Sequence, residues 1–144
     1  FEIGGRYKRM APLKDGTKST IAKIKDINFD RDDEVYKKLK RFWELVVEEQ
    51  PLKEGEKEPM SWYSKNFYTE NYESKYEYAD KESRFKTFAL LTPDGVWLER
   101  GKVLWFGIDT RNKESNNDFE EAFKEIVEDT KYQDFYLVLV DCHI

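Results

Sequence analysis

Hydrophobic positions in the second quarter of the chain repeat at helical spacing. The repeat predicts a helix over Arg31–Gln50, with Asn28 or Asp30 as its N-cap and Pro51 as the residue that prevents its continuation. The apolar side chains of this helix follow a 4-3-4 spacing: Val35, Leu39, Phe42 and Val46. One face of the helix is therefore expected to pack on a core.

Two further regions carry helical patterns. Residues Asp118–Thr130, after a cap at Asn117, place apolar side chains on one face: Phe119, Ala122, Phe123, Ile126 and Val127. Residues 60–88 are crowded with aromatic rings, and their tyrosines recur every four positions at Tyr68, Tyr72 and Tyr76. This spacing favours a partly helical segment, and the alternative is an irregular tract wrapped onto the core.

Short alternating or apolar runs separated by turn residues predict antiparallel strands. Thr87–Leu91 and Val96–Leu98 flank the sequence Thr-Pro-Asp-Gly, which is typical of a hairpin turn. Near the start, Phe1–Met10 and Thr20–Ile27 lie on either side of an Asp-Gly turn and suggest a hairpin-like pair of strands.

The end of the chain contains the most apolar strands. Val103–Asp109 predicts one strand and Asp134–Ile144 the last one. Because Phe135–Val140 is continuously apolar, we expect it to lie in the middle of a sheet that is covered on both faces. The predicted fold is α+β: an antiparallel-rich sheet of about five to six strands with two main helices packed on it.

Composition limits the class of protein. The chain has 144 residues, which fits a single α+β domain over residues 1–144. Aromatic residues make up 16% of it, which argues against disorder, and its single cysteine, Cys142, excludes an internal disulfide. No apolar run is long enough to span a membrane. We expect a cytoplasmic protein whose N-terminal residues, before Phe1, are missing.

Charge is unevenly distributed. The net charge is −5, which argues against general affinity for nucleic acid, yet residues 1–28 carry seven basic and three acidic side chains. A local nucleic-acid surface on the N-terminal basic strands therefore stays open, formed by Arg6, Lys8, Lys23 and Lys25. The alternative is that these side chains are solvated at the edge of the sheet.

The last strand ends in a carboxylate and the only histidine of the chain. Side chains alternate along a strand, so Asp141 and His143 share a face and could act as an acid–base pair or as metal ligands, with Asp109 as a third ligand. The alternative is that His143 is a terminal surface residue and that Cys142 is packed in the core. Phosphate-binding, dinucleotide-binding and serine-hydrolase motifs are absent from the sequence.

The aromatic tract offers a different type of site. Trp62, Tyr63, Phe67 and Tyr68 would make good anchors of a protein interface if they are exposed. Their density is the only motive for this hypothesis. The alternative is that these rings complete the core, in which case the interface hypothesis fails.

The last two fifths of the chain resemble a known group of proteins. The sequence Phe-Ala-Leu-Leu-Thr-Pro-Asp-Gly-Val-Trp over residues 88–97, Trp-Phe-Gly over 105–107 and Val-Asp-Cys-His-Ile over 140–144 resemble small uncharacterised phage and bacterial proteins. The resemblance covers residues 85–144 and implies a phage or mobile-element origin, with the host cytoplasm as the location. It implies no catalytic residue, because the group has no established activity.

The sequence thus favours a non-enzymatic accessory protein that binds a macromolecular partner, most readily a protein, without a cofactor. One alternative is a small metal-dependent or acid–base hydrolase that uses Asp141 and His143. A second alternative is a nucleic-acid-binding module that uses the N-terminal basic strands.

Overall fold

A computed structural model of the chain describes residues 1–100 and 113–142. Within these ranges it contains four α-helices and eight short strands. The helices are α1 (Asp33–Val46), α2 (Lys65–Asn71), α3 (Lys75–Glu82) and α4 (Lys113–Glu128). The strands are β1 (Glu2–Ile3), β2 (Ala11–Pro12), β3 (Lys18–Ser19), β4 (Ile21–Lys23), β5 (Ala89–Leu91), β6 (Trp97–Glu99), β7 (Tyr136–Val138) and β8 (Val140–Asp141).

Helix α1 confirms the first predicted helix, but it begins two residues later than Arg31 and ends at Val46, four residues before the predicted end at Gln50. Its N-cap is Asp32, whose carboxylate accepts hydrogen bonds from the backbone N–H groups of Glu34 and Val35 at 3.1 and 3.2 Å. The predicted cap at Asn28 or Asp30 is wrong, because the side chain of Asn28 instead accepts a hydrogen bond from the backbone of Asp30 in a local turn.

The aromatic tract is partly helical, as predicted, but it forms two helices rather than one face. Tyr72 lies between α2 and α3, where its backbone N–H donates to Tyr68 and closes the last turn of α2. Tyr68 is buried, whereas Tyr76 is exposed. The four-residue spacing of the tyrosines therefore does not correspond to a continuous helix.

Helix α4 begins before its predicted start. Asn117 lies inside the helix and is not its cap. Three residues of the predicted apolar face are buried, namely Phe119, Phe123 and Val127. The predicted hairpin around the Thr-Pro-Asp-Gly turn is confirmed, with β5 paired antiparallel to β6.

The predicted single sheet of five to six strands is wrong for the described residues. Their strands form four two-stranded antiparallel sheets: β1 with β8, β2 with β3, β4 with β7, and β5 with β6. The N-terminal hairpin is the short β2–β3 pair, while β1 and β4 pair with the end of the chain. Leu139 joins these two pairings, because its N–H donates to Thr20 and its carbonyl accepts from Gly4.

The apolar run near the C-terminus is covered on one face only, which contradicts the prediction of a strand covered on both faces. Leu137 and Leu139 are buried, whereas Tyr136, Val138 and Val140 are exposed. The run alternates like an ordinary half-buried strand, except that its outer side chains are also apolar. The predicted strand Val103–Asp109 lies outside the described residues.

The core consists of two hydrophobic clusters. The terminal cluster combines the N-terminal strands, α4 and the C-terminal strands: Ala11, Ala22, Ile24, Ile27, Phe119, Phe123, Val127, Leu137 and Leu139. The helical cluster lies among α1, α2 and α3, and its buried members are Trp43, Val47, Tyr68 and Tyr78. In the described ranges no helix is long and apolar enough to cross a membrane.

Candidate functional site

The loop between α1 and α2 is held by one arginine. Arg41 on α1 donates from Nε and Nη2 to the two carboxylate oxygens of Glu56, at 2.9 and 2.7 Å. Its guanidinium also donates to the side chain of Gln50 and to the carbonyl of Pro51, both at 3.1 Å. A planar guanidinium has several hydrogen-bond donors and can bind several residues of a loop at once, so Arg41 gives this loop a defined shape.

Glu56 completes the arrangement. One of its carboxylate oxygens also accepts from the backbone N–H of Lys53 at 2.7 Å. The hydrogen bond from Arg41 is the main cause that lowers the pKa of Glu56 to about 2, and the bond from Lys53 adds to it. The carboxylate therefore stays charged, and the loop stays anchored, at neutral pH.

The second half of this loop exposes three large apolar side chains. Trp62 is 86% exposed, Met60 77% and Tyr63 51%. We call these three residues the 60–63 patch. Single exposed apolar side chains are common on protein surfaces, but three within four positions of one ordered loop are typical of an interaction site.

Contacts with the helical cluster hold the patch from beneath. The ring of Tyr63 stacks on Phe67 of α2, with ring centres 4.0 Å apart and planes 15° from parallel. The hydroxyl groups of Ser61 and Tyr68 form a hydrogen bond of 2.8 Å. The backbone on both sides of Trp62 is thus fixed while the indole itself faces solvent.

The predicted binding residues divide into exposed and buried ones. Trp62 and Tyr63 are exposed, Phe67 is half-buried beneath Tyr63, and Tyr68 is 5% exposed and belongs to the helical cluster. Tyr68 therefore supports the patch from within. Met60 was missed by the sequence reasoning, although an apolar residue after the polar stretch 53–58 is a usable sequence indication.

The surroundings of the patch are acidic. Between positions 44 and 60 the chain has six glutamates and two lysines. Glu44 and Glu56 pair with Lys75 and Arg41, whereas Glu54 and Glu58 are exposed and form no ion pair with other described residues. A basic rim would complement this surface.

Asp141, the predicted acid–base residue, is the buried partner of an arginine. It is 1% exposed, and its two carboxylate oxygens accept from Nε and Nη2 of Arg6 at 2.8 and 2.7 Å. The hydrogen bond and the charge of Asp141 raise the pKa of Arg6 above its ordinary value. Asp141 thus fixes the N-terminal segment, and its oxygens are already occupied.

The other members of the predicted hydrolase site, Asp109 and His143, lie outside the described residues. In the ranges that are described, no group of three or more histidine, cysteine or acidic side chains could hold a metal ion. Cys142 is exposed, so the expectation that it packs in the core is wrong, whereas Asp141 is buried. The hydrolase alternative stays a prediction.

The predicted basic strand surface is largely neutralised. Arg6 is bound to Asp141, and Lys25 pairs with Asp134 at 2.8 Å. Lys23 lies 4.0 Å from the same Asp134 carboxylate. Lys8 is exposed.

A polar network that the sequence did not predict lies between α3 and α4. Glu120 accepts from Lys86 at 2.8 Å, and Lys81 donates to the side chain of Asn117 at 2.9 Å. Glu82 accepts from the hydroxyl of Tyr72 at 2.8 Å. Burial, together with the charge of Glu82, raises the pKa of Tyr72 above its ordinary value.

Arg100 is the last member of this network. Its Nη2 lies 3.9 Å from a carboxylate oxygen of Glu120, and its guanidinium carbon lies 5.7 Å from the ring centre of Phe119. It lines both an enclosed cavity of about 20 Å³ and an open cleft of about 250 Å³. The sequence places Arg100 in a turn after the predicted strand Val96–Leu98, and a turn arginine has no distinctive pattern, so spacing alone could not identify it.

Comparison with known proteins finds no match. No protein-family model, curated protein or solved structure matches the chain. The resemblance of residues 85–144 to small phage and bacterial proteins stays a prediction.

Proposed function

We propose that this chain is a binding protein that docks a protein partner through the 60–63 patch. The observation that carries the proposal is the exposure of Trp62, Met60 and Tyr63 on one anchored loop. Tryptophan and tyrosine supply a disproportionate share of binding energy when a partner desolvates them. An accessory protein of phage or mobile-element type remains the wider prediction.

The anchoring of the loop supports the proposal. Binding costs less when the docking loop is already ordered, and the contacts of Arg41 with Glu56 and of Tyr63 with Phe67 order this one before binding. The exposed Glu54 and Glu58 beside the patch define the partner further. It should present an apolar pocket with basic side chains at its rim.

The proposal is tested by comparing Trp62→Ala with Trp97→Ala. Trp97 is a matched control, because it is also an exposed tryptophan but lies on β6, which is distant in sequence from the patch. Each full-length variant is used to capture proteins from cells in which the chain is naturally made. A candidate partner is then purified, and its affinity for each variant is measured by calorimetry.

We expect a partner whose affinity falls about thirtyfold or more with Trp62→Ala, equivalent to about 2 kcal/mol, and changes little with Trp97→Ala. The same partner should lose affinity with Glu54→Lys and Glu58→Lys. If every protein that binds the wild type binds Trp62→Ala equally well, the 60–63 patch is not the docking surface.

One observation keeps a nucleic-acid module as a second candidate function. The ammonium of Lys23 lies 5.8 Å from the ring centre of Tyr136 on the exposed side of the β4–β7 pair. A base stacked on Tyr136 would bring its phosphates near Lys23. Binding of a fluorescent single-stranded oligonucleotide that weakens steeply with salt and is lost in Tyr136→Ala would support this candidate, and absent or salt-insensitive binding would remove it.

A further inference from the structure

Residues 57–61 cross the protein surface as an extended segment that is held at both ends. They run without a turn or a bend, between the turn that ends at Glu56 and the bend that includes Tyr63. Glu56 is bound by Arg41, and Tyr63 stacks on Phe67. The backbone between these two anchors is therefore ordered before any partner binds.

The side chains of this segment alternate as they do in a β-strand. Glu58, Met60 and Trp62 are exposed, whereas Pro59 and Ser61 between them are partly buried. The hydroxyl of Ser61 forms a hydrogen bond of 2.8 Å with a tyrosine of the helical cluster. Residues i and i+2 of an extended chain point to the same side. The apolar side chains of Met60 and Trp62 therefore share the outer side with the carboxylate of Glu58.

The backbone groups of the segment are open to a partner. The N–H and C=O groups of residues 57–62 form no hydrogen bond with the described residues. In an extended chain these groups point to the two edges alternately, so Glu58, Met60 and Trp62 share one edge. Pro59 has no N–H, which leaves a gap among the donors of the opposite edge. The edge of Glu58, Met60 and Trp62 is thus the one with a full set of donors and acceptors.

Such an edge fits one recurrent mode of protein recognition. In strand addition, an extended segment pairs with the free edge of a sheet: main-chain hydrogen bonds contribute affinity, and pockets for alternate side chains contribute specificity. The segment offers both, because its complete backbone edge carries the exposed side chains of Met60 and Trp62. Docking as a polyproline helix fits less well, since motifs of that type have two spaced prolines and residues 57–62 have one.

We propose that residues 57–62 bind the partner as an added β-strand, paired with an edge strand of the partner's sheet through the edge of Glu58, Met60 and Trp62. This inference rests on the proposed function, because it concerns the same docking loop. The partner's edge strand should carry a basic side chain opposite Glu58 and lie beside apolar pockets for Met60 and Trp62.

The first test measures the hydrogen exchange of single backbone amides by NMR, in the full chain alone and in its complex. The probe is the purified partner whose affinity falls with Trp62→Ala. We expect the amides of Glu58, Met60 and Trp62 to exchange about tenfold more slowly or better in the complex, and those of Lys57 and Ser61 to change little. Strand pairing produces this alternation, whereas side chains docked into a pocket without pairing do not.

The second test removes one hydrogen bond without changing a side chain. The N–H of Met60 is replaced by an ester oxygen, through incorporation of the α-hydroxy analogue of methionine. The control is the same replacement at Lys57, whose N–H points to the opposite edge. One backbone hydrogen bond contributes about a factor of three to ten in affinity, so binding should fall by that factor for the Met60 ester and stay unchanged for the Lys57 ester.

The register also separates the two exposed glutamates of the loop. Glu58 belongs to the added strand, whereas Glu54 lies in the turn before it. Glu58→Lys should therefore lower the affinity for the same partner more than Glu54→Lys does. An equal loss in both variants would mean that the glutamates act only through the general charge of the surface, which contradicts the register.

The outcomes distinguish this inference from the proposed function. A partner that requires Trp62 but protects none of these amides, or protects them without alternation, would keep the docking surface and overturn the added strand. Equal affinity of the Met60 and Lys57 esters would overturn it too. If no protein loses affinity with Trp62→Ala, the proposed function itself fails, and the added strand fails with it.

Discussion

At the scale of single residues, Gly5 and Asp141 are packed so closely that a side chain at position 5 has no room. A Cβ on Gly5 would lie 2.5 Å from the Cβ of Asp141 and 2.8 Å from one of its carboxylate oxygens. Gly5 also has a φ of 45°, which L-residues rarely adopt. The glycine therefore lets the backbone approach the buried carboxylate and lets Arg6 reach both of its oxygens.

Gly5→Ala should consequently destabilise the protein strongly. The backbone strain costs about 1 kcal/mol or more, and displacement of Asp141 adds to it, so we expect a total loss of about 2–4 kcal/mol in urea unfolding. Gly16→Ala is the matched control: its φ is 87°, but no atom lies within 4 Å of its added Cβ. If Gly5→Ala and Gly16→Ala lose the same free energy of unfolding, backbone strain alone explains the need for glycine at position 5.

The pairing of Arg6 with Asp141 shows what residue-level reasoning could not predict. Arg6 and Asp141 are 135 positions apart, whereas His143 follows Asp141 by only two positions, so local spacing indicates a catalytic pair of Asp141 and His143. The burial of Asp141 beside the exposed Cys142 is compatible with strand alternation. Alternation cannot predict which distant charge meets the buried face, because that depends on the pairing of β1 with β8.

At the scale of elements, α1 depends on its N-cap. Asp32→Ala removes the acceptor of two backbone N–H groups and should cost about 1 kcal/mol in unfolding free energy. Asp30→Ala, at the position that the sequence suggested as the cap, should change stability by less than about 0.5 kcal/mol. A larger loss from Asp30→Ala than from Asp32→Ala would contradict the assigned cap. Calorimetric unfolding at neutral pH measures both.

The loop that carries the 60–63 patch should loosen in acid. The pKa of Glu56 is lowered to about 2 in the folded protein, while an unperturbed glutamate titrates near about 4.3. Because the folded-state pKa is the lower one, the stabilisation is fully present above about pH 4.3 and is lost as the pH falls toward 2. The melting temperature of wild type should therefore exceed that of Glu56→Gln most at neutral pH, and the difference should vanish near pH 2.

A double-mutant cycle tests whether this acid effect comes from the ion pair between Arg41 and Glu56. In an Arg41→Gln background, Glu56→Gln should lose most of its pH-dependent effect, because the guanidinium is the main cause of the lowered pKa. An unchanged pH dependence in that background would mean that another group holds the carboxylate.

The positions of single helices and strands could be predicted from the sequence more readily than the pairing of the strands into sheets. The spacing of Val35, Leu39, Phe42 and Val46 places α1 correctly, because one amphipathic face is a local property of the sequence. The run Phe135–Val140 misleads because its exposed side chains are apolar too, so its pattern matches a strand covered on both faces. Neither the division into two-stranded sheets nor the exposure of Trp62 follows from periodicity, since both depend on long-range packing.

At the scale of the whole molecule, polar contacts connect the helices of the helical cluster to α4 of the terminal cluster. The ammonium of Lys81 on α3 donates to the side chain of Asn117 on α4 at 2.9 Å. The hydrogen bond between Lys86 and Glu120 connects the segment after α3 to α4. Each cluster is small for an independent core, so we expect the two to unfold together.

Glu120→Gln tests this coupling, because it removes a charged acceptor shared by the cations between α3 and α4. We expect a loss of about 1–3 kcal/mol, as for a hydrogen bond to a charged group. Glu121→Gln is the control on the same helix, since Glu121 is exposed and forms no ion pair with described residues.

Trp43 fluorescence, with the other tryptophans replaced by phenylalanine, reports the helical cluster. A dye on the exposed Cys142 reports the terminal cluster. Both probes should give one urea midpoint in wild type and the same lowered midpoint in Glu120→Gln. A Cys142 transition that moves while the Trp43 transition stays would show that the clusters unfold independently.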